Sequence, residues 1–279
     1  MHIKPEQTQN QIISPLIECR ISEIARFGLF LAVAIPVIGI PVILLTRLLA
    51  WLYQPQLFET TLPTISKTAA FAPASFLFTP GMSLVSIAIV LAWPISYLLN
   101  RREIFRLVTA STAAVRLDLL NAMTMLFGII AGFSLGGLSI IHLEVDSSIH
   151  MLLSKIFFGM MVLALLCDSL LAQRLGRYTM PAADSLNVTP AGMNLRYPIC
   201  LLVSISAIAF LFMFLTKDTD LIPYPMLVRW LYVGSESALS IFLLLYSLSY
   251  LPLLRRIISE SSDNSESCNI AIQDQTAGN

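Results

Sequence analysis

Residues 27–50 read FGLFLAVAIPVIGIPVILLTRLLA, with Arg47 as the single charge. A helix that crosses a bilayer needs roughly 17–25 mostly apolar residues, and this stretch supplies them. Five more runs of the same kind follow: Phe76–Leu99, Leu117–Ile141, Met151–Ala172, Ile199–Leu215 and Val228–Leu251. They are about twice as long as barrel strands and lack their alternation of apolar and polar residues. In hydrocarbon every backbone N–H and C=O needs an internal partner, which a helix supplies within one segment. The expected fold is all-α, a polytopic bundle of six transmembrane helices.

Composition points the same way. The chain is 56% hydrophobic and 12% charged, where a soluble domain carries about 25% charged residues. Its net charge is zero, so no electrostatic footprint for nucleic acid is expected. The six runs leave a cytosolic N-terminal segment at 1–26, a transmembrane domain at 27–254 and a tail at 255–279. Within the tail, Ser259 to Ser267 is too polar to bury a core and reads as disordered. No cleavable signal peptide is expected, because the first 26 residues are polar and the first apolar run is too long.

Charge in the loops sets the orientation. Twelve of the 17 basic residues fall in the two terminal segments and the loops on their side, among them Arg101, Arg102, Arg106, Arg174, Arg177 and Arg196. The opposite loops hold Arg47, Lys67, Lys217 and Arg229, together with Glu59, Glu144, Asp146, Asp218 and Asp220. By the positive-inside rule both termini are expected to be cytosolic. The sequon at Asn187 then faces the cytosol, and Cys19, Cys167, Cys200 and Cys268 avoid the oxidising side. The segment 16–26 reads either as a short interfacial helix or as an extension of the first span.

Ionisable groups inside spans are expensive and are functional candidates by default. The fourth span enters near His150 and places Lys155 about 8 Å deep at the helical rise. The sixth span places Glu236 about 12 Å deep on the same reckoning, with Arg229 on the same face. His150, Lys155, Arg229 and Glu236 are therefore expected to meet in the outer half of the bundle. They would serve as a lipid or ligand site or as a structural ion pair, Lys155–Glu236 or Arg229–Glu236. Ser235, Ser237 and Ser240 flank the glutamate and could complete a hydrogen-bond network. Asp168 is expected to pair with Arg101 or Arg174 near the inner end. Gly128, Gly132 and Gly136 form a small-residue stripe suited to close helix packing.

No catalytic residues are assigned, since no nucleophile-elbow, zincin or phosphate-loop pattern is present. No cofactor and no metal are expected. His142, Glu144, Asp146 and His150 lack ligand-like spacing and read as a solvated loop.

The first outer loop carries a more specific pattern. Pro63, Ile65, Ser66 and Thr68 stand as P-x-I-S-x-T, followed by Ala72-Pro73 and Leu77-Phe78. This arrangement, with His150, Phe158-Gly159-Met160 and Glu236, resembles the DRAM (damage-regulated autophagy modulator) family, within the wider Frag/DRAM/Sfk superfamily of six-span membrane proteins. Ala69 stands where that family often has glycine, and an aromatic usual after the glutamate is missing. The resemblance implies a non-enzymatic modulator of autophagy or lysosomes, or an organiser of membrane lipids. It also implies residence in a lysosomal, endomembrane or plasma membrane. Membrane lipids, and a membrane-associated protein or lipid kinase, would be its partners. The superfamily includes GPI-anchor lipid-remodelling proteins, so the alternative is a remodelling enzyme using His150, Glu236 and Ser66. A transporter ranks lower, because the prolines of the first span have no counterpart in the fourth.

Overall fold

The computed structural model describes residues 5–59, 62–108, 110–179, 191–216 and 225–260. The sequon at Asn187, the loop charges Lys217, Asp218 and Asp220, and the tail beyond 260 lie outside the described residues.

Seven helices and no strand occur among the described residues: α1 (Pro5–Tyr53), α2 (Ile65–Thr68), α3 (Ala74–Leu107), α4 (Ser111–Ile140), α5 (Ser147–Thr179), α6 (Ala191–Thr216) and α7 (Pro225–Tyr246). All but α2 are long and apolar enough to cross a membrane. The chain is an integral, multi-pass membrane protein, and six crossings bring both termini to one side, here called the inner side. The helices outrun their apolar runs. Segment 16–26 is simply part of α1. α7 passes through a 3-10 turn, Ser247–Tyr250, into a helical stretch over 251–260, so the start of the expected tail is helical.

Each span packs on the next in sequence, and α7 with its 3-10 turn returns to α1, closing the ring. The α4–α5, α3–α4 and α1–α3 seams are extensive, whereas the α5–α6 seam is thin. Small residues explain the tight α3–α4 seam. A Cβ on Gly128 would lie 2.2 Å from the Trp93 ring, one on Gly132 2.6 Å from Val90, and one on Gly136 2.8 Å from the Ser86 hydroxyl. That hydroxyl donates to the Gly132 carbonyl at 2.8 Å, a hydrogen bond of the kind close helix approach permits. The stripe thus faces α3 within one chain. Gly132→Leu is expected to destabilise the bundle by about 1–3 kcal/mol through overpacking. Thermal unfolding in detergent would reveal this, and an unchanged midpoint would contradict the packing just described.

On the inner side, charges cluster where helices emerge. Glu103, buried near the end of α3, accepts from Arg256 at 2.6 Å and Arg106 at 2.9 Å. Arg101 pairs with Asp118 at 3.5 Å. Asp168 therefore finds a different cation from the one expected. Arg196, from the first turns of α6, turns inward and lies 3.5 Å from its carboxylate. The Tyr246 hydroxyl donates to the same oxygen at 2.6 Å. The Arg196 guanidinium also sits 3.9 Å over the Tyr250 ring, which suits a planar cation.

Candidate functional site

The outer half of the bundle holds a cavity of about 1230 Å³ between α5, α6, α7 and the loop that carries α2. His150, Lys155, Arg229 and Glu236 all line it, and so do Pro63, Ser66 and Lys67. Toward the membrane interior its walls are apolar, with Leu163, Leu166, Ala207, Ile208, Leu211 and Leu239. Several of these, including Leu163, Ile208 and Leu211, are exposed. Gly159 adds open space, since a Cβ there would meet nothing within 4 Å.

The loop wall is built by local rules. Thr64 caps α2, its hydroxyl accepting from the Lys67 N–H at 3.1 Å, as N-cap threonines do. Ile65 and Thr68, three residues apart and so on one helical face, turn into the core. The Thr68 hydroxyl donates to the Ile65 carbonyl at 2.7 Å. Ser66 and Lys67 are left facing the cavity. Hence the P-x-I-S-x-T pattern divides into anchors (Ile65, Thr68) and lining residues (Pro63, Ser66).

Glu236 holds this wall in place. It is buried, and its carboxylate accepts from the backbone N–H of Ile65 at 3.3 Å. The cation acting on it is Arg47. Arg47 donates to Ser237 Oγ at 2.9 Å and to the Pro63 carbonyl at 3.5 Å. Neither Lys155 nor Arg229 forms the ion pair with Glu236 considered from sequence. The Lys155 ammonium instead lies 5.7 Å from the centre of the Phe214 ring, and Arg229 is exposed. Of the three serines, only Ser237 joins this network, by accepting from Arg47. Ser235, Ser237 and Ser240 donate to carbonyls of their own helix, those of Tyr232, Val233 and Glu236.

His150 occupies the first turn of α5. Asp146 precedes it as a cap, its side chain accepting from the Ile149 N–H at 3.0 Å. The His150 Nδ1 donates to the Ile141 carbonyl at 2.6 Å. A carbonyl only accepts, so Nδ1 carries the proton and, in the neutral ring, Nε2 presents a lone pair. That Nε2 is buried and has no hydrogen-bond partner among the described residues. His142 is nearby, with its Nε2 3.1 Å from the Thr79 hydroxyl. Burial and the neighbouring His150 hold its pKa below the usual imidazole value. Among the described residues no cluster of three potential metal ligands occurs.

The family model for the Frag1/DRAM/Sfk1/Cwh43P N-terminal domain matches residues 27–250. The chain belongs to this family. The matched segment takes in the cavity and the six apolar runs, up to but not including the last residue of the sixth. No curated protein and no solved structure gives a match.

Sequence reasoning missed Arg47 in the Frag1/DRAM site, although its isolation in an apolar run was a usable signal. It also missed the Ile65 N–H, which no side-chain pattern announces.

Proposed function

We propose that this Frag1/DRAM-family protein is a non-enzymatic, lipid-binding membrane protein that holds anionic amphiphiles in its outer cavity. The observation that carries this reading is an imbalance of charge. Lys67, Lys155 and Arg229 line the cavity, and no acidic side chain among the described residues pairs with any of them. The one lining carboxylate, Glu236, is engaged by the loop. Below the cations the cavity is apolar and lipid-facing, which suits acyl chains. Action as a DRAM-type modulator of autophagy or lysosomes, or as an organiser of lipids and lipid kinases, would follow from such binding. Lysosomal, endomembrane or plasma membrane would be its place.

A remodelling enzyme has one observation in its favour. Ser66, His150 and Glu236 also line a second, smaller chamber behind the cavity, of about 60 Å³. Their hydrogen bonds, however, are made elsewhere. The His150 ring is oriented by a backbone carbonyl, and Glu236 serves the Ile65 N–H. A nucleophile, base and orienting acid in sequence are not assembled.

The test is retention of an acyl-labelled anionic phospholipid by protein in phosphatidylcholine nanodiscs. Lys155→Gln with Arg229→Gln is expected to lower retention about tenfold, as two exposed charge contacts of ~0.7 kcal/mol each would. Gly159→Phe is expected to block it by filling the open space, with the melting midpoint unchanged. Retention unaltered by both changes would refute the reading.

A further inference from the structure

One buried polar atom at the cavity has nothing to do, His150 Nε2. It is buried, without a partner among the described residues, on a ring whose tautomer the Ile141 carbonyl fixes. His150 is only 4% exposed and lines both the outer cavity and the chamber behind it. An unpaired buried acceptor carries a desolvation cost, which an incoming donor would relieve. Water-sized space exists at this junction, but water would not distinguish one amphiphile from another.

Lys155 lies five residues further along the same helix, about 7.5 Å at the helical rise. A phosphate held by Lys155 and Arg229 would therefore share the cavity with the imidazole, displaced from it by about that interval along the helix axis. We infer that His150 Nε2 is a headgroup-selecting group, accepting a hydrogen bond from a hydroxyl of an anionic phospholipid whose phosphodiester rests on Lys155 and Arg229. This inference rests on the lipid-binding reading above. It adds that the cavity chooses among anionic lipids, favouring headgroups with a hydroxyl a few atoms from phosphorus. Glycerol-type headgroups have that spacing. Phosphatidic acid and alkyl phosphodiesters have no such donor. Choline headgroups lack the donor and carry a cation that Lys155 and Arg229 would repel.

Phosphatidylglycerol and phosphatidylpropanol make the decisive pair, since they share charge and length and differ in the hydroxyls. In competition against acyl-labelled phosphatidylglycerol in phosphatidylcholine nanodiscs, phosphatidylglycerol is expected to displace the label about fivefold more effectively, the worth of one ordinary hydrogen bond. His150→Asn keeps a side-chain N–H for the Ile141 carbonyl and deletes the distal acceptor. It is expected to bring the ratio to about one, leave phosphatidylpropanol affinity unchanged and retain the melting midpoint. His150→Phe is the second variant and should also erase the ratio. Soluble glycerol phosphate is expected not to displace the label; displacement by it would assign the site to a free polyol phosphate instead of a lipid and overturn the inference. Equal displacement by the two lipids in the unmodified protein, or a ratio that survives both variants, would also overturn it. Those outcomes leave binding through Lys155 and Arg229 intact. Failure of the lipid-binding reading is distinguishable, since then neither anionic lipid would compete better than phosphatidylcholine.

Discussion

Asp168→Leu is expected to cost about 3–5 kcal/mol of stability, the usual penalty for stranding one member of a buried ion pair. Arg196 is nearly inaccessible, and its counter-ion is the Asp168 carboxylate 3.5 Å away. The change would also remove the carboxylate to which the Tyr246 hydroxyl donates, leaving that hydroxyl with Ser169 Oγ at 3.3 Å. Asp168→Leu combined with Arg196→Met removes both charges and is expected to regain most of the loss, because well-packed apolar replacements often match a buried pair. Tyr246→Phe should cost about 1.5–3 kcal/mol, one hydrogen bond to a charged group. Reversible unfolding in mixed micelles would supply all of these values. A double variant no better than Asp168→Leu alone would show that the two charges do not support each other. The cluster joins α5, α6 and α7 near the inner side, so its loss should loosen the same helices that enclose the outer cavity.

The second large effect is expected at the opposite end of those helices. Glu236→Leu leaves the Ile65 N–H without its acceptor and removes the carboxylate that acts on Arg47, at an expected cost of about 1–3 kcal/mol. Glu236→Gln should be milder, since an amide oxygen still accepts from Ile65. The local readout is the loop at 54–73, which should become more open to proteolysis in Glu236→Leu. In double-mutant cycles, Arg47 and Glu236 are expected to couple by more than about 1 kcal/mol, whereas Lys155 and Glu236 should be additive within about 0.5 kcal/mol. Coupling of Lys155 in place of Arg47 would contradict the hydrogen-bond arrangement described here.

These two clusters mark where sequence reasoning reaches and where it stops. The six spans were legible because hydrocarbon imposes one length and one composition on each. The convergence of His150, Lys155, Arg229 and Glu236 on one cavity was legible too, because rise per residue converts sequence position into depth. Pairing was not. Depth says which groups share a layer, but the rotation of each helix decides which of them touch. Arg47 and Asp168 illustrate this. Arg47 sits near the end of the first apolar run and was counted with the outer loop, yet it turns inward to the loop and Ser237. Asp168 was matched to Arg101 or Arg174 from sequence, but Arg101 pairs with Asp118 and Arg196 turns in to Asp168. The role of Glu236 was hidden for a different reason: its donor is a backbone amide in a loop, and a main-chain N–H leaves no mark in composition or periodicity.

The thin seam between α5 and α6 has a consequence for how any occupant arrives. Because several apolar residues that line the cavity on those helices are exposed, an amphiphile held as proposed above would reach the cations by sliding sideways within its own leaflet. It would never have to leave the bilayer. Occupancy would then follow the mole fraction of that lipid in the surrounding membrane and be indifferent to its minute aqueous concentration. The rate of exchange would be governed by two-dimensional diffusion and would slow as the membrane stiffens.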